Sequence, residues 1–127
     1  MVPRQEQTAL LIVDHGSRVE EANDLLRQLA KLLESTSEFS IICHAHMELA
    51  APSISEAFDT CVSRGANFII VHPYFLAPGR HSTLDIPRLV EQAAAKHPGV
   101  QYRITQPLGL HIKIAELILE RVRDACS

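Results

Sequence analysis

Hydrophobic residues recur along the chain in four short runs, with longer stretches of mixed polarity between them. The runs are rich in Ile, Val and Leu and cover residues 8–13, 39–43, 68–71 and 100–104. They lack the strict apolar–polar alternation of a strand that has one face in water. Continuous apolar runs of this length are typical of strands that are buried on both faces of a parallel sheet. The pattern therefore predicts four buried strands.

The stretches between and after these runs have the apolar spacing of amphipathic helices. Ser53 and Glu56 have the spacing of a capping box, and Gly65 stands where a helix would end. The last stretch has four aliphatic residues on one side, Ile114, Leu117, Ile118 and Val122. Helices are predicted at residues 22–33, 53–64, 83–96 and 110–125.

Strands and helices alternate strictly in this prediction, and each strand is followed by a helix. Right-handed crossovers then give an α/β fold, a three-layer α/β/α sandwich around a four-stranded parallel sheet, with flavodoxin-like topology. The 127 residues suffice for one hydrophobic core and not for two. A single domain over residues 1–127, with its core at about 8–123, is expected.

Ligands of open parallel sheets bind at the carboxyl ends of the strands, where loops and helix N-termini meet. Six of the seven histidines follow predicted strands, and only His97 does not; the six are His15, His44, His46, His72, His81 and His111. Imidazole binds divalent metals and exchanges protons near neutral pH. No closed zinc motif is present in the spacing. The residues alone therefore indicate metal or acid–base chemistry at an open site, with the substrate unspecified.

Composition and charge limit the kinds of binding partner that are expected. The net charge of -3, with Lys and Arg dispersed along the chain, gives no electrostatic case for nucleic acid. No apolar run is long enough to span a membrane, and no charged-then-apolar leader opens the sequence, so a cytoplasmic protein without membrane contact is expected. The three cysteines have unrelated spacings that suggest neither disulfides nor a cysteine metal site.

Four segments together resemble a known family. They are DHGSR at 14–18 followed by Asn23, HMELA at 46–50 followed by PSI at 52–54, PGRH at 78–81 followed by DIP at 85–87, and PLG at 107–109. In this order and spacing they are similar to the small class II tetrapyrrole chelatases, the sirohydrochlorin cobalto- and ferrochelatases. The resemblance extends from about residue 8 to residue 123.

The resemblance implies a chelatase-like fold and the insertion of a divalent metal into sirohydrochlorin, a tetrapyrrole. It implies that His15 and His81 meet the metal and carry the chemistry, with Glu48 assisting as a metal-handling acid. Family members of this length pair as homodimers, with the cleft between the two copies. Which histidine is ligand and which is base stays open.

The metal is expected as a substrate, with no permanently bound cofactor. The first two motifs resemble those of siroheme-forming ferrochelatases, so Fe²⁺ is the first choice, with Co²⁺ for corrin synthesis next and Ni²⁺ as a further option. The cysteine-rich extension of plant relatives is not found before Ser127, and no iron–sulfur cluster is expected.

Further residues next to the two histidines are expected to bind the substrate or to support the site. Arg18 and Arg80 either pair with substrate carboxylates or are solvated. Gly16 and Gly79 are expected to permit a turn or a close approach of the macrocycle. Ser17 is expected to cap a helix. Ser17 and His46 are also expected to support the metal-contacting residues without contacting the metal themselves.

Two rival functions are considered. A metal or tetrapyrrole carrier on the same scaffold needs the same histidines, and only multiple turnover separates it from a chelatase. A flavodoxin-like regulatory or nucleotide-binding module is disfavoured, because no glycine-rich phosphate loop follows the first strand.

Overall fold

The computed structural model describes residues 7–79 and 84–127. Within them, four strands alternate with four helices, as predicted. The strands are β1 (Thr8–Asp14), β2 (Ile41–His46), β3 (Phe68–Pro73) and β4 (Gln101–Ile104), and the helices are α1 (Glu20–Thr36), α2 (Ile54–Ser63), α3 (Ile86–Ala94) and α4 (Ile112–Cys126). The α/β class is confirmed.

The strands form one parallel sheet in the order β2-β1-β3-β4. Strand β1 lies inside the sheet and is tightly enclosed, with Ala9, Leu11 and Val13 at 0% exposure. The sheet order brings the carboxyl ends of β1, β2 and β3 side by side. Residues that follow these strands are therefore neighbours in space, although they are far apart in sequence.

Helices α2 and α3 cover one face of the sheet. The core on this side is centred on Phe58 of α2 and on Ile86 and Val90 of α3, all of which have no exposed surface. The predicted capping box is confirmed: Ser53 Oγ accepts from Glu56 N–H at 3.1 Å, and Glu56 Oε1 accepts from Ser53 N–H at 2.9 Å. Helix α2 also ends as predicted, since Gly65 has a φ of +107° just after its last turn.

Helix α1 packs on the opposite face, which we call the α1 face. Leu26 and Ala30 of α1 contact Ile12 of β1 and Ile42 of β2. Two further leucines of the helix, Leu25 and Leu32, follow the same apolar spacing but are 65% and 59% exposed. The buried line of α1 runs through Asn23, Leu26 and Ala30, so the apolar surface of this helix is wider than its contact with the sheet.

Helix α4 forms where it was predicted but contains no buried residue. Its aliphatic side chains, including Leu117, Ile118 and Val122, are about half exposed. No helix of residues 7–79 and 84–127 is long and apolar enough to cross a membrane.

Candidate functional site

The carboxyl ends of β1 and β2 bring His15 and Glu48 together. Asp14 and His46 are register partners at the ends of the two strands. The pairing continues beyond them, because Met47 N–H donates to the Asp14 carbonyl at 2.9 Å and Glu48 N–H donates to the His15 carbonyl at 3.2 Å. The side chains then meet, with 3.2 Å between His15 Nε2 and Glu48 Oε1. Two residues from distant parts of the sequence thus form one polar pair.

This pair is open to solvent. The side chains of His15 and Glu48 are 43% and 53% exposed. The ring of Phe75, in the loop after β3, meets the His15 imidazole edge-on with centroids 6.5 Å apart. Phe75 also packs against the core, whereas its neighbour Tyr74 is exposed. The loop after β3 therefore borders the polar pair on one side.

Gly16 permits the close approach of the two loops. Its φ is +96°, and a Cβ atom at this position would lie 1.9 Å from the Glu48 carbonyl oxygen. Any larger residue would therefore push the Glu48 segment away from His15. The backbone turn expected at Gly16 is confirmed, because its φ lies in the left-handed region. At Gly79, in contrast, a Cβ would meet none of the described atoms within 4 Å, and φ is not in the left-handed region.

His46 lies in the interior and not in a loop. The apolar run predicted that the second strand ends at residue 43, with His44 and His46 in the loop that follows; this was wrong, since β2 extends to His46. His46 is 1% exposed, and its Nδ1 donates to Asp14 Oδ1 at 2.6 Å. A carboxylate accepts only, so this bond fixes the imidazole orientation. The pair joins the ends of β1 and β2 directly beside His15.

Asp14 and Asn23 are polar residues for which the sequence predicted no role. Asn23 is 6% exposed, and its side-chain amide forms hydrogen bonds with both backbone groups of Ser17. Its Oδ1 accepts from Ser17 N–H at 2.9 Å, and its Nδ2 donates to the Ser17 carbonyl at 2.7 Å. These bonds hold the loop after His15. The signal in the sequence was the presence of both residues in the first motif, but neither spacing nor polarity revealed their partners.

Ser17 is not the cap of α1. The helix begins at Glu20 with Val19 as its N-cap, and no side chain caps it. Ser17 Oγ instead accepts from Val19 N–H at 2.9 Å within the loop. The expected capping role is therefore wrong, because the chain needs two more residues to turn from the sheet edge into the helix. Arg18, in the same loop, is exposed.

Three further histidines lie near strand ends or at the start of a helix. His72 lies within β3, and its Nδ1 is 2.7 Å from Thr105 Oγ1; since that hydroxyl donates to the Gln106 carbonyl, His72 is the donor. Burial lowers the pKa of both His72 and His44. His111 caps α4, accepting from Lys113 N–H at 3.1 Å. These three imidazoles either lie within strands or cap a helix, so their positions are structural.

His81 and Arg80 lie outside the described residues. Of the predicted metal-contacting residues, the structure therefore positions His15 and Glu48. Among residues 7–79 and 84–127, no three or more His, Cys, Asp or Glu side chains are grouped in a way that would hold a metal ion. A surface hollow of about 580 Å³ is lined by the first half of α1 and includes neither His15 nor Glu48.

Comparisons with known proteins reveal close relatives. The chain is 43% identical over 118 residues to a chloroplastic sirohydrochlorin ferrochelatase of Arabidopsis thaliana, a match that covers 93% of this chain and 52% of that protein. It is 36% identical over 115 residues to a sirohydrochlorin cobaltochelatase of Sulfurisphaera tokodaii, a match that covers 91% of both chains. The chain thus spans about half of the plant relative and nearly all of the archaeal one.

The same similarity holds for solved structures. The sirohydrochlorin chelatase SirB from Bacillus subtilis subspecies spizizenii, solved in complex with cobalt, superposes with a TM-score of 0.86 at 28% identity. The match covers 93% of this chain and 50% of the SirB chain. A sequence model of the CbiX family matches residues 9–125. From this match, the relatives and the shared fold, we conclude that the chain belongs to the CbiX family.

Proposed function

We propose that this protein inserts a divalent metal ion into a sirohydrochlorin-type tetrapyrrole. Two facts support the proposal: membership of a family whose relatives are named as sirohydrochlorin chelatases, and the polar pair at the carboxyl edge of the sheet. The observation that carries it is the 3.2 Å separation of His15 Nε2 and Glu48 Oε1.

That separation suits two ligands of one metal ion. Nitrogen and oxygen ligands at about 2.0–2.1 Å in tetrahedral arrangement are about 3.3 Å apart. The two atoms are within ion-pair distance of each other. Metal ligation requires a neutral imidazole and an ionised carboxylate, so metal uptake competes with protons and is weakened in acid. His15 and Glu48 are thereby proposed as metal-contacting residues.

A substrate metal must also leave its ligands. Two exposed side chains that hold an ion on one side leave its other side for the macrocycle nitrogens. A closed cage of four protein ligands would retain the ion instead. The exposure of His15 and Glu48, at 43% and 53%, favours transfer over storage. The second metal-contacting histidine is proposed, from the resemblance, to be His81.

Metallation requires the ring to lose two pyrrole N–H protons. A neutral imidazole accepts such protons and also binds the incoming ion, so His15 and His81 are suited to divide the two tasks. The pair formed by buried His46 and partly buried Asp14 holds the strand end from which His15 projects. We assign His46 this positioning role and no direct metal contact. Its 1% exposure leaves no surface for an incoming ion.

The substrate carries carboxylate side chains, which guanidinium groups bind bidentately. Arg18 follows His15 by three positions and is exposed at the same edge. We propose Arg18 and Arg80 as substrate-binding residues. Gly16 keeps the loops close together, and Gly79 presents the backbone without a side chain beside the substrate. Ser17 is proposed to support this loop, since Asn23 holds its backbone.

Two copies of the chain are proposed to form the complete site. The SirB chain is about twice as long, since this chain matches 50% of it. A homodimer would supply the second half and would enclose the macrocycle between two carboxyl edges. In this arrangement the tetrapyrrole and the metal are substrates, and no permanently bound cofactor or iron–sulfur cluster is part of the proposal.

Iron is proposed as the physiological metal, with cobalt next and nickel as a further candidate. The 43% identity to the plant ferrochelatase over 118 residues supports iron as the first choice. Ligand type does not decide the metal, because most nitrogen and oxygen sites bind divalent ions in the same affinity order.

The test is an anaerobic assay with sirohydrochlorin in large excess over the protein, with Fe²⁺, Co²⁺ and Ni²⁺ in turn. Absorption spectra follow the metallated product. We expect product in many-fold molar excess over protein, formed fastest with Fe²⁺. Product that stops at one equivalent per site would instead show a carrier, the alternative function on this scaffold.

A further inference from the structure

Two of the three cysteines meet between β2 and α2, although their spacing in the sequence suggested no pairing. Cys43 lies on β2 and Cys61 on α2, and both side chains belong to the core that the sheet forms with α2 and α3. The Cys61 thiol donates a hydrogen bond to the Cys43 sulfur. The packing of the helix on the sheet thus places two free thiols in contact.

The two thiols differ in their access to solvent. Cys61 has no exposed surface, whereas Cys43 is 8% exposed. Cys43 lines a hollow of about 220 Å³ whose other walls include Pro52, Ala57 and Thr60. Strand β2 is at one end of the strand order, so this hollow lies at an edge of the sheet. A small polar molecule can therefore reach Cys43 from solvent but cannot reach Cys61.

Arg64 places a positive charge beside the accessible thiol. It is the C-cap residue of α2, and its guanidinium extends to the edge strand. Nη2 donates to the Ser40 carbonyl at 3.2 Å, and Nη1 donates to the Ile42 carbonyl at 3.4 Å. Nη1 is also 3.9 Å from Cys43 Sγ. The outer carbonyls of an edge strand are available to side chains, and here they hold the guanidinium next to the sulfur.

The surroundings of the pair favour a thiolate at Cys43. The hydrogen bond from Cys61 lowers the pKa of Cys43 most, and Arg64 lowers it further by its charge and its own hydrogen bond. Burial and the carboxylate of Glu34 on α1 act in the opposite direction, and His44 also lines the hollow. The bond to Cys43, together with burial, raises the pKa of Cys61. Cys43 is therefore the nucleophile of the pair and Cys61 its proton donor.

We propose that Cys43 and Cys61 are a peroxide-sensitive dithiol, in which Cys43 reacts first and Cys61 then joins it in a disulfide. The reactant class is a small hydroperoxide, such as hydrogen peroxide, which the hollow is large enough to admit. The proposal does not depend on chelation, because both thiols lie on the side of the sheet that α2 and α3 cover.

The chemistry takes two steps. The Cys43 thiolate attacks one oxygen of the hydroperoxide, an S–O bond forms and the O–O bond breaks, and the leaving oxygen takes up a proton. Cys43 is then a sulfenic acid, and the hydroperoxide has been reduced to an alcohol, or to water. The Cys61 sulfur next attacks the Cys43 sulfur, the S–O bond breaks, and water leaves with the Cys61 proton. Two thiols thereby lose two electrons and two protons.

Buried cysteines also serve as small apolar core residues. Two observations distinguish this pair from such a role: the guanidinium 3.9 Å from Cys43 Sγ and the hollow that leads to the same sulfur. An apolar core position requires neither a fixed charge nor a route from solvent. Reactive cysteines, in contrast, lie in electropositive and partly accessible surroundings.

The experiment uses the full-length chain with Cys126→Ser as the reference, since Cys126 is an exposed thiol. The reduced reference protein is treated with hydrogen peroxide, and its intact mass and free thiols are followed. We expect the loss of two hydrogens and of both thiols within one chain, reversed by a dithiol reductant. Cleavage after Glu48 and Glu56, which lie between the two cysteines, should release their peptides still joined.

Two cysteine variants assign the roles in the same background. Cys61→Ser should stop at the sulfenic acid, which dimedone traps as one adduct on Cys43. Cys43→Ser should lose its remaining thiol to peroxide at least about 10-fold more slowly than the reference, because Cys61 is sealed from solvent. Circular dichroism checks that both variants are folded.

Arg64→Gln tests the charge without changing either thiol. At about pH 7 the peroxide reaction should slow at least about fivefold, and the midpoint of its pH profile should move toward that of an ordinary thiol, about 8.5. Arg88→Gln, which removes an exposed guanidinium from α3, is the matched control and should stay within about twofold of the reference.

Three results would overturn the proposal. They are a reference protein that keeps both thiols in excess peroxide, a Cys43→Ser variant that reacts as fast as the reference, and an Arg64→Gln variant with an unchanged rate and pH profile. A disulfide that joins two chains, seen as a doubled mass, would also contradict it. None of these readouts uses metal insertion, so their failure leaves the proposed function untouched, and a chain without chelation leaves the dithiol proposal untouched.

Discussion

Gly16 is the residue whose identity is most strictly required by the site. It combines a φ of +96° with a contact that leaves no room for a Cβ beside the Glu48 carbonyl. Gly65 has a similar φ of +107°, but a Cβ added there would meet none of the described atoms within 4 Å. Substitutions at the two glycines therefore separate the free-energy cost of a left-handed backbone from the free-energy cost of steric crowding.

We predict that Gly16→Ala lowers the free energy of unfolding by about 2 kcal/mol or more and abolishes most metal transfer. The added methyl group displaces the Glu48 segment and breaks the contact with His15. Gly65→Ala should cost about 1 kcal/mol and leave metal transfer intact. Urea unfolding and the chelation assay measure both effects. Equal losses of activity in the two variants would show that crowding at Gly16 is unimportant.

The histidines show what residue patterns do and do not reveal. His15 was correctly expected just past the strand end, because it comes two positions after a long apolar run. His46 was assigned to a loop since it is polar, yet it pairs with Asp14 in the interior. A buried polar residue is recognised from its partner, and that partner lies 32 positions away in the sequence.

At the scale of elements, α2 and α3 are joined by a polar cluster at their surface. Asp59 of α2 accepts from His97 Nε2 at 2.7 Å and from Lys96 Nζ at 2.9 Å. The His97 ring also stacks on Phe58, with centroids 6.0 Å apart. The bond from His97, followed by that from Lys96, lowers the pKa of Asp59 below its ordinary value of 3.8.

A carboxyl group with a depressed folded-state pKa stabilises the fold above its unfolded pKa, and this contribution is lost as the pH falls through the folded value. We predict that Asp59→Asn destabilises the chain slightly at pH 7, by less than about 1 kcal/mol because the group is exposed. The difference from the parent chain should shrink below about pH 4. Thermal unfolding from about pH 7 to about pH 2.5 measures this, with Glu38→Gln as the control; a difference independent of pH would contradict it.

Element positions followed well from the sequence where local signals agreed. The capping box and Gly65 located α2 within a residue or two, and the Ile- and Val-rich runs located the strands. The end of β2 did not follow, because pairing with β1 outweighs the polarity of His44 and His46. The exposure of α4 did not follow either, since an apolar helix side predicts burial, yet α4 contains no buried residue.

At the scale of the whole molecule, the fold supplies one edge at which chemistry is possible. Strand order makes β1, β2 and β3 neighbours, so the loops with His15, Glu48 and Phe75 converge. In the proposed homodimer, a second copy would contribute the other half of a cleft at this edge. The expected single domain over residues 1–127 stays a prediction.

In the proposed function, the His15 imidazole passes the metal ion to the tetrapyrrole. The most direct measurement is the initial rate of metallated sirohydrochlorin formation by His15→Ala, compared with His97→Ala, which removes an imidazole beyond the end of α3. We predict that His15→Ala loses at least about 100-fold in rate while remaining folded, and that His97→Ala retains most of the parent rate. A His15→Ala variant that turns over as fast as the His97→Ala variant would contradict this claim.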